Sequence, residues 1–508
     1  MGTELVNQES RTKARRVRPT GISDKIGPYS GLLVGVAVLG YYLLRSWHRG
    51  TFGFLELTAL AVLSTVCLLP LARWFQTGMP HLPLGEGFAF MHLIYYVIPC
   101  LGIQAKLEDF APELRLKALL ALILHLGFFV AVYWLITERV RRPLPANHLL
   151  RREANIGLVW VMFVSWVVLE VLLAFGKIID FGAARNIFNG LLGALGSIAV
   201  VCLFYRCGRG IYGSLQLLLV VGLAIGVGAT MVDGVLCIGA GILGAAALAY
   251  SLGRRKVSIV GSVAVVVVLG FLQIGKSDYR TVIQGDSTAY VETPSSFQAA
   301  YSLWFRVSWR ALTESKNDGS HSEDSIWART SLIQILVLSM DTVPHKSPYL
   351  YGKTYAMIPK LLIPRIFWAE KMRGTYPTEF LGTYLGIQTE GGADYTGISV
   401  GAPSEAWLNF GWLGMALVGA FSGLLFGLPA ALTRRLEPQN LGWLICCYFL
   451  VTCIDMEHSI PEKVTMVLQA VFVSFFLLLA ISTKPRPKLK AKPSTGLSTS
   501  ATVGESST

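Results

Sequence analysis

Charge is scarce in this chain. Only 15% of its 508 residues are Asp, Glu, Lys or Arg, against 53% hydrophobic, whereas a soluble domain carries about 25% charged residues. Mean hydropathy is +0.53. The apolar excess is spread along the chain in segments long enough to cross a hydrocarbon core about 30 Å thick. Cysteine is absent from the one long polar stretch, roughly 275–410. All eight (Cys67, Cys100, Cys202, Cys207, Cys237, Cys446, Cys447 and Cys453) lie in or at the ends of apolar segments. That excludes a disulfide framework, and no Cys/His spacing fits a metal. There is no nucleotide-phosphate loop sequence and no Asp-x-Asp pair in the long stretch. No internal repeat is visible, which weighs against a transporter built from duplicated halves. Met1 to Ile26 is basic and polar, without the apolar core of a cleavable signal peptide, so the first apolar segment is expected to act as an uncleaved signal-anchor.

What is present reads as an all-α polytopic membrane protein of about twelve transmembrane helices with one large extracytoplasmic loop. The spans fall near 28–46, 53–72, 88–104, 118–137, 156–175, 187–205, 213–231, 233–252, 257–274, 411–432, 440–456 and 463–482, with a tight turn at Asp233. The corresponding regions are a basic N-terminus (1–27), nine helices (28–275), the large loop (276–410), three helices (411–483) and a disordered tail (484–508) rich in Lys, Pro, Ser and Thr. Net charge is +13, which in a soluble protein would point to nucleic acid. Here Lys and Arg gather in alternate short loops. With the N-terminus in the cytoplasm, the inside segments hold 24 of the 44 Lys+Arg, the short outside loops 8 and the long loop 12. Basic residues favour the cytoplasmic side, while long loops cross largely regardless of charge. Both termini are therefore expected inside and the long loop outside, with the bilayer as partner and no nucleic acid.

Gly190, Gly193, Gly196, Gly222, Gly226, Gly228, Gly239, Gly241 and Gly244 are expected to let neighbouring helices approach closely. The long loop is dense in Trp, Tyr, Phe, Leu and Ile, so it is expected to fold, and a loop of that length is usually functional. Ser295 to Glu314 has the spacing of an amphipathic interfacial helix capped by Ser295 or Ser296, with Arg306 and Arg310 on one face. Ser331 to Met340 is apolar but too short to span, as in a re-entrant or interfacial helix. Tyr351 to Gly374 is broken by Pro359 and Pro364. The loop holds 12 Lys+Arg and 13 Asp+Glu, so an anion site must be made locally, from among Arg280, Arg306, Arg310, Arg329, Lys353, Arg365 and Arg373. Arg365 stands out because its neighbours are apolar and an unpaired buried charge is costly. Glu405 opens the next apolar helix, either as a carboxylate favoured by the helix dipole or as a general base at the membrane mouth, with Asp394 or Glu379 as weaker alternatives. Glu170 and His125 lie within spans, where an ionisable group is a functional candidate or a hydrogen-bonded structural one. Asp455, Glu457 and His458 cluster at the outer end of the eleventh span.

Gly352-Lys353-Thr354-Tyr355, Ile363-Pro364-Arg365 with Trp368 and Lys371, and Pro403-Ser404-Glu405 with Asn409-Phe410-Gly411 and Gly414 together resemble the Wzy-type polymerases of bacterial O-antigen and exopolysaccharide repeat units. The likeness covers about 65 residues, with the span layout as its background. It implies a metal-independent glycosyltransferase of the bacterial inner membrane that needs no cofactor. Its substrates would be oligosaccharides on undecaprenyl pyrophosphate at the outer face. A hydroxyl of one repeat attacks the anomeric carbon of the lipid-linked chain, and undecaprenyl pyrophosphate leaves. Glu405 and Arg365 would be catalytic. Arg280, Arg306, Arg310, Lys353, Tyr355, Lys371, Ser404 and Asn409 would hold substrate or pyrophosphate, since arginine matches phosphate bidentately. A chain-length regulator and a flippase of the same pathway are implied as partners. The alternatives are an O-antigen ligase, a flippase or transporter of the lipid-linked sugar, and a structural subunit without catalytic residues.

Overall fold

The computed structural model describes residues 52–101, 109–139, 149–175, 185–234, 236–256, 259–284, 296–314, 331–363, 370–389, 398–434 and 436–483, with scattered residues of 36–46, Leu107 and Trp368 besides. They are mostly helical. The helices are α1 (Phe54–Gln76), α2 (Leu84–Leu101, with a π-turn at Leu93–Val97), α3 (Pro112–Arg139), α4 (Ile156–Phe175), α5 (Arg185–Gly208), α6 (Leu215–Met231), α7 (Leu236–Arg254) and α8 (Ile259–Ile274). They continue with α9 (Lys276–Gln284), α10 (Phe297–Glu314), α11 (Ile333–Thr342), α12 (Ile358–Leu362), α13 (Tyr376–Tyr384), α14 (Ala402–Thr433), α15 (Leu441–Ile454) and α16 (Ile460–Ile481). Six of these, α1 to α4, α14 and α16, are long and apolar enough to cross a membrane; α5 to α8, α11 and α15 contain shorter apolar helices. The described residues are thus those of a mostly helical membrane protein.

Helix ends sort into two sets. At the first end, Leu82 N–H donates to Thr433 Oγ1 (3.2 Å) and Arg434 to the Thr137 carbonyl (3.2 Å). There Glu153–Ala154 (β1) pairs antiparallel with Ser482–Thr483 (β2), next to Asn440. At the second end, Tyr95 OH meets Glu457 (3.4 Å), Tyr279 OH donates to the Val232 carbonyl (2.8 Å), and Trp304 Nε1 to the Leu272 carbonyl (2.9 Å). Consecutive helices of α1–α8 and α14–α16 therefore run in alternate directions. Arg73, Arg151, Arg152, Arg206, Arg209, Arg254, Arg255, Lys256 and Arg434 all belong to segments at the first end.

The longest packing seam joins α14 to α3. Gly419 rests on the His125 carbonyl, Gly423 on that of Phe129 and Gly427 on the Ile136 side chain. A glycine every fourth residue is the spacing at which two membrane helices come backbone to backbone. Elsewhere Gly196 and Gly226 admit the Trp166 ring and Gly222 that of Phe163, as the small-residue reading expects, while Gly193 and Gly244 meet nothing within 4 Å. The tight turn at Asp233 is present, with Gly234 at φ +74°.

The described parts of the long loop gather at the second end. α10 begins where sequence put it, capped by Ser296, whose Oγ accepts the Ala299 N–H (3.3 Å). Its Ala300, Trp304 and Ser308 are buried, and Phe305, Trp309 and Leu312 exposed. α11 is a buried helix packed on α14 and α3. Tyr351–Gly374 holds a 3-10 turn (Tyr355–Met357) running into α12, with Pro359 in the first turn of that helix, while Pro364 lies outside the described residues.

Candidate functional site

Gly411 has φ +58° and ψ −133°, conformations open to glycine, and kinks α14. The piece before the kink, 402–410, carries Ser404, Glu405 and Asn409, all fully buried. One turn of helix separates Glu405 from Asn409, so both face the same way. A turn made by Tyr351 (φ +46°) and Gly352 (φ +85°) docks against them. Leu350 N–H donates to the Leu408 carbonyl (2.9 Å) and Tyr351 N–H to that of Asn409 (3.2 Å). Asn409 Oδ1 accepts the Gly352 N–H (2.9 Å), and its Nδ2 donates to Thr354 Oγ1 and to the Glu405 carbonyl (both 2.9 Å). The Tyr355 ring stacks on Phe410, centroids 6.3 Å apart. Burial, and then the Glu405 charge, push the Tyr355 hydroxyl well above its ordinary value.

The Glu405 carboxylate reaches across to α16. Its Oε2 accepts the Ile460 N–H at 2.6 Å, so it caps the first turn of a second helix as well as opening its own. The Thr354 hydroxyl lies against the same carboxylate. α16 starts with Ser459 and Pro461 in a capping box, Glu462 accepting the Ser459 N–H (3.1 Å) and the Thr378 hydroxyl (2.6 Å). Next comes Lys463, buried to 2% exposure, whose Nζ donates to the Asp455 carbonyl (2.5 Å). Asp455 in turn holds His458 Nδ1 at 2.5 Å. Burial alone would raise the Asp455 carboxyl. The His458 hydrogen bond and the Lys463 charge overcome that and hold it at about 2. For His458, burial pulls downward, but the Asp455 hydrogen bond and charge win and raise it.

The structure therefore brings Glu405, Asn409 and Tyr355 together around Thr354, while Ser404 is buried beside Glu405 with its hydroxyl in no hydrogen bond. Lys353 is exposed on the docked turn, and Lys371 Nζ donates to the Leu361 carbonyl at the end of α12, which packs on α16. Arg306 and Arg310 project exposed from α10. Arg280 lies on α9 beside Gly234, among elements that do not carry Glu405. Arg365, Arg329 and Asp394 lie outside the described residues. Glu379 is bound to the Thr375 hydroxyl (2.6 Å). Glu170 accepts from Trp166 Nε1 (3.1 Å) and His125 Nδ1 lies 3.1 Å from the Met415 carbonyl, both hydrogen-bonded structural roles. Among the described residues no group of three or more His, Cys, Asp or Glu could hold a metal. Sequence reasoning quoted Thr354 within its motif without giving it a role, and passed over Glu462 and Lys463. The available signal for the last was a lysine at the first residue of the expected span 463–482, which must find partners. No protein-family model, no curated protein and no solved structure matches this chain.

Proposed function

We propose that the chain is a repeat-unit polymerase of the bacterial inner membrane. It would carry about twelve spans, both termini in the cytoplasm and the second end of the bundle outside. Undecaprenyl-pyrophosphate-linked oligosaccharides would be its substrates. The observation that carries the reading is the docking of Gly352–Tyr355 onto Ser404–Asn409. Two segments that carry the resemblance to Wzy-type polymerases, some 50 residues apart, share Asn409 as a common hydrogen-bonding centre. The gathering of basic residues at the first end supports the orientation. Lys353 and Lys371, close to this cluster, and Arg365 are the cations proposed for the leaving pyrophosphate, whose charge grows in the transition state.

The geometry refines the part proposed for Glu405. Its Oε2 already accepts the Ile460 amide, so it ties α14 to α16 beneath the exposed turn, while Oε1 is buried without a hydrogen-bond partner. As a general base it would receive the proton of an acceptor hydroxyl on Oε1. Gene deletion complemented with Glu405→Gln, Glu405→Ala or Arg365→Ala, followed by gels of surface glycan and lipid-linked oligosaccharide, tests both parts. Single repeats and no polymer are expected for the deletion and for Arg365→Ala, with the variant protein still in the membrane. Glutamine keeps an acceptor for Ile460. Polymer with Gln but not Ala makes Glu405 a positioning residue, and its loss with both, at normal protein level, makes it the base. Polymer retained on undecaprenyl pyrophosphate in the deletion strain assigns a ligase instead. Single units confined to the cytoplasmic side assign a flippase.

A further inference from the structure

The first end holds a cavity of about 510 Å³, lined among others by Arg73, His81, Glu86, Tyr133, Trp134 and Arg434, and of the size of a small-molecule site. Its polar wall is built on α3. Tyr133 donates its hydroxyl to Glu86 Oε2 (2.8 Å), and one turn further on the Thr137 carbonyl accepts from Arg434 (3.2 Å). Glu86 and Arg434 are thus fastened to positions of α3 one turn, about 6 Å, apart along its axis. On the α1 side, Arg73 lies 2.5 Å from Glu138 and 4.8 Å from the centre of the Trp134 ring.

The charged groups of this cavity are unequally satisfied. Arg73 has both a carboxylate and an aromatic face. Arg434 is exposed, and among the described residues no carboxylate pairs with it. Glu86 is buried to 3% exposure, and among the described residues no lysine or arginine pairs with it. The basic nitrogen beside it is His81 Nε2, at 3.8 Å, which is too long for a hydrogen bond. Burial, and then the Arg434 charge, push His81 down to about 4, so at neutral pH the imidazole is no counter-ion. A buried carboxyl placed in this way either stays protonated or takes up a cation.

An ammonium group beside Glu86 would meet a carboxyl and the aromatic walls of Tyr133 and Trp134, the combination that recognises organic cations. A phosphate beside Arg434 would meet a guanidinium able to grip it bidentately. One helical turn separates the two anchor points, the reach of a short alkyl link. We propose that this cavity binds an aminoalkyl phosphate, with its ammonium on Glu86 and its phosphate on Arg434. Phosphatidylethanolamine carries that group on a lipid, and free phosphoethanolamine carries it in solution. Leu69 and Leu135, next to the lining residues Pro70 and Trp134, are exposed apolar side chains, so lipid borders the rim and the headgroup is the favoured source. Phosphatidylglycerol keeps the phosphate but offers Glu86 no cation.

The test titrates full-length protein in dodecyl maltoside, by calorimetry, with dihexanoyl-phosphatidylethanolamine, dihexanoyl-phosphatidylglycerol and free phosphoethanolamine. The ethanolamine lipid is expected to bind about tenfold or more tightly than the glycerol lipid, the worth of one charge-assisted contact. Glu86→Gln keeps an acceptor for Tyr133 and should erase that preference. Arg434→Gln should weaken both lipids by about tenfold. Free phosphoethanolamine binding as tightly as its lipid makes the ligand a solute, and weaker binding makes it a headgroup; either supports the site. No binding, equal binding of the two lipids, or a preference that survives in folded Glu86→Gln overturns the proposal. Should Glu86→Gln not fold, Arg434→Gln, at an exposed position, decides the matter, and undiminished binding there overturns it. Because no sugar is present, the result is independent of the polymerase reading.

Discussion

Asn409→Ala removes the centre of the docked turn. Three hydrogen bonds disappear, and two of them, to Gly352 N–H and Thr354 Oγ1, join separate segments; the third runs within α14. At about 1 kcal/mol net for each bond, docking weakens by about 2 kcal/mol, which corresponds to a roughly 30-fold rise in the open population. The Leu350 and Tyr351 amides keep their backbone acceptors, so the turn loosens without global unfolding. Hydrogen exchange of the purified protein reads this directly. Amides of residues 350–354 should exchange about 30-fold faster in Asn409→Ala, with α3 and the later part of α14 unchanged. Thr354→Val removes one of the two cross-links and should give about a fivefold rise. In the double variant it should add little to Asn409→Ala, because the two residues share that bond. Exchange in the turn unchanged to within about twofold in Asn409→Ala would refute the assignment of Asn409 as its anchor.

Gly411→Ala should lower the thermal midpoint in detergent by an amount equivalent to about 1–3 kcal/mol. The backbone is left-handed there, and a Cβ would come within 2.8 Å of the Tyr349 hydroxyl oxygen; Tyr349→Phe should rescue only part, since φ is unaffected, and full rescue would show the strain to be steric alone. Gly419→Ala drives a Cβ into the His125 carbonyl and should part α3 from α14, whereas Gly127→Ala meets nothing within 4 Å and should be neutral or stabilising by up to about 1 kcal/mol; equal midpoints for the two would contradict the seam. The Asp455–His458 pair sets a pH window. His458 is raised above 6.5, so its contribution is full below that value and is lost as pH rises through the folded one. Asp455 falls from 3.8 to about 2, so its contribution is present above the unfolded value and is lost as pH falls towards 2. The thermal-midpoint difference between wild type and His458→Gln should therefore be greatest between about pH 4 and 6.5 and shrink in alkali; a difference as large in alkali as between those values would sink the pairing.

Hydropathy and charge alone specified the helical membrane class, the positions of most helices and the Ser296 start of α10. Each depends on short-range chemistry: apolar runs of bilayer length, a capping hydroxyl, prolines that break a helix. The same local signals were silent where the outcome depended on partners distant in sequence. The tenth span was expected from 411; a kink lies at Gly411, and a further helical piece, 402–410, precedes it. Arg306 and Arg310 share a helix face, as their spacing requires, but that face is exposed on α10. No periodicity records which side of an amphipathic helix another element will cover.

Glu405 marks the boundary between the two kinds of knowledge. Sequence identified it as a carboxylate in the first turn of a helix, and it is one. Only tertiary structure decided that its oxygen would cap α16 through Ile460, with Thr354 beside it and Lys463 near. Likewise, Glu86, Lys463 and His458 come from α2, α16 and the turn before α16, each an ionisable group beside an otherwise apolar run. Sequence placed those groups at or just outside the edges of the expected spans. Burial away from water then required each to find partners, because in an apolar interior the energy of an ionisable group is set by its neighbours, and neighbours are fixed only when the helices pack.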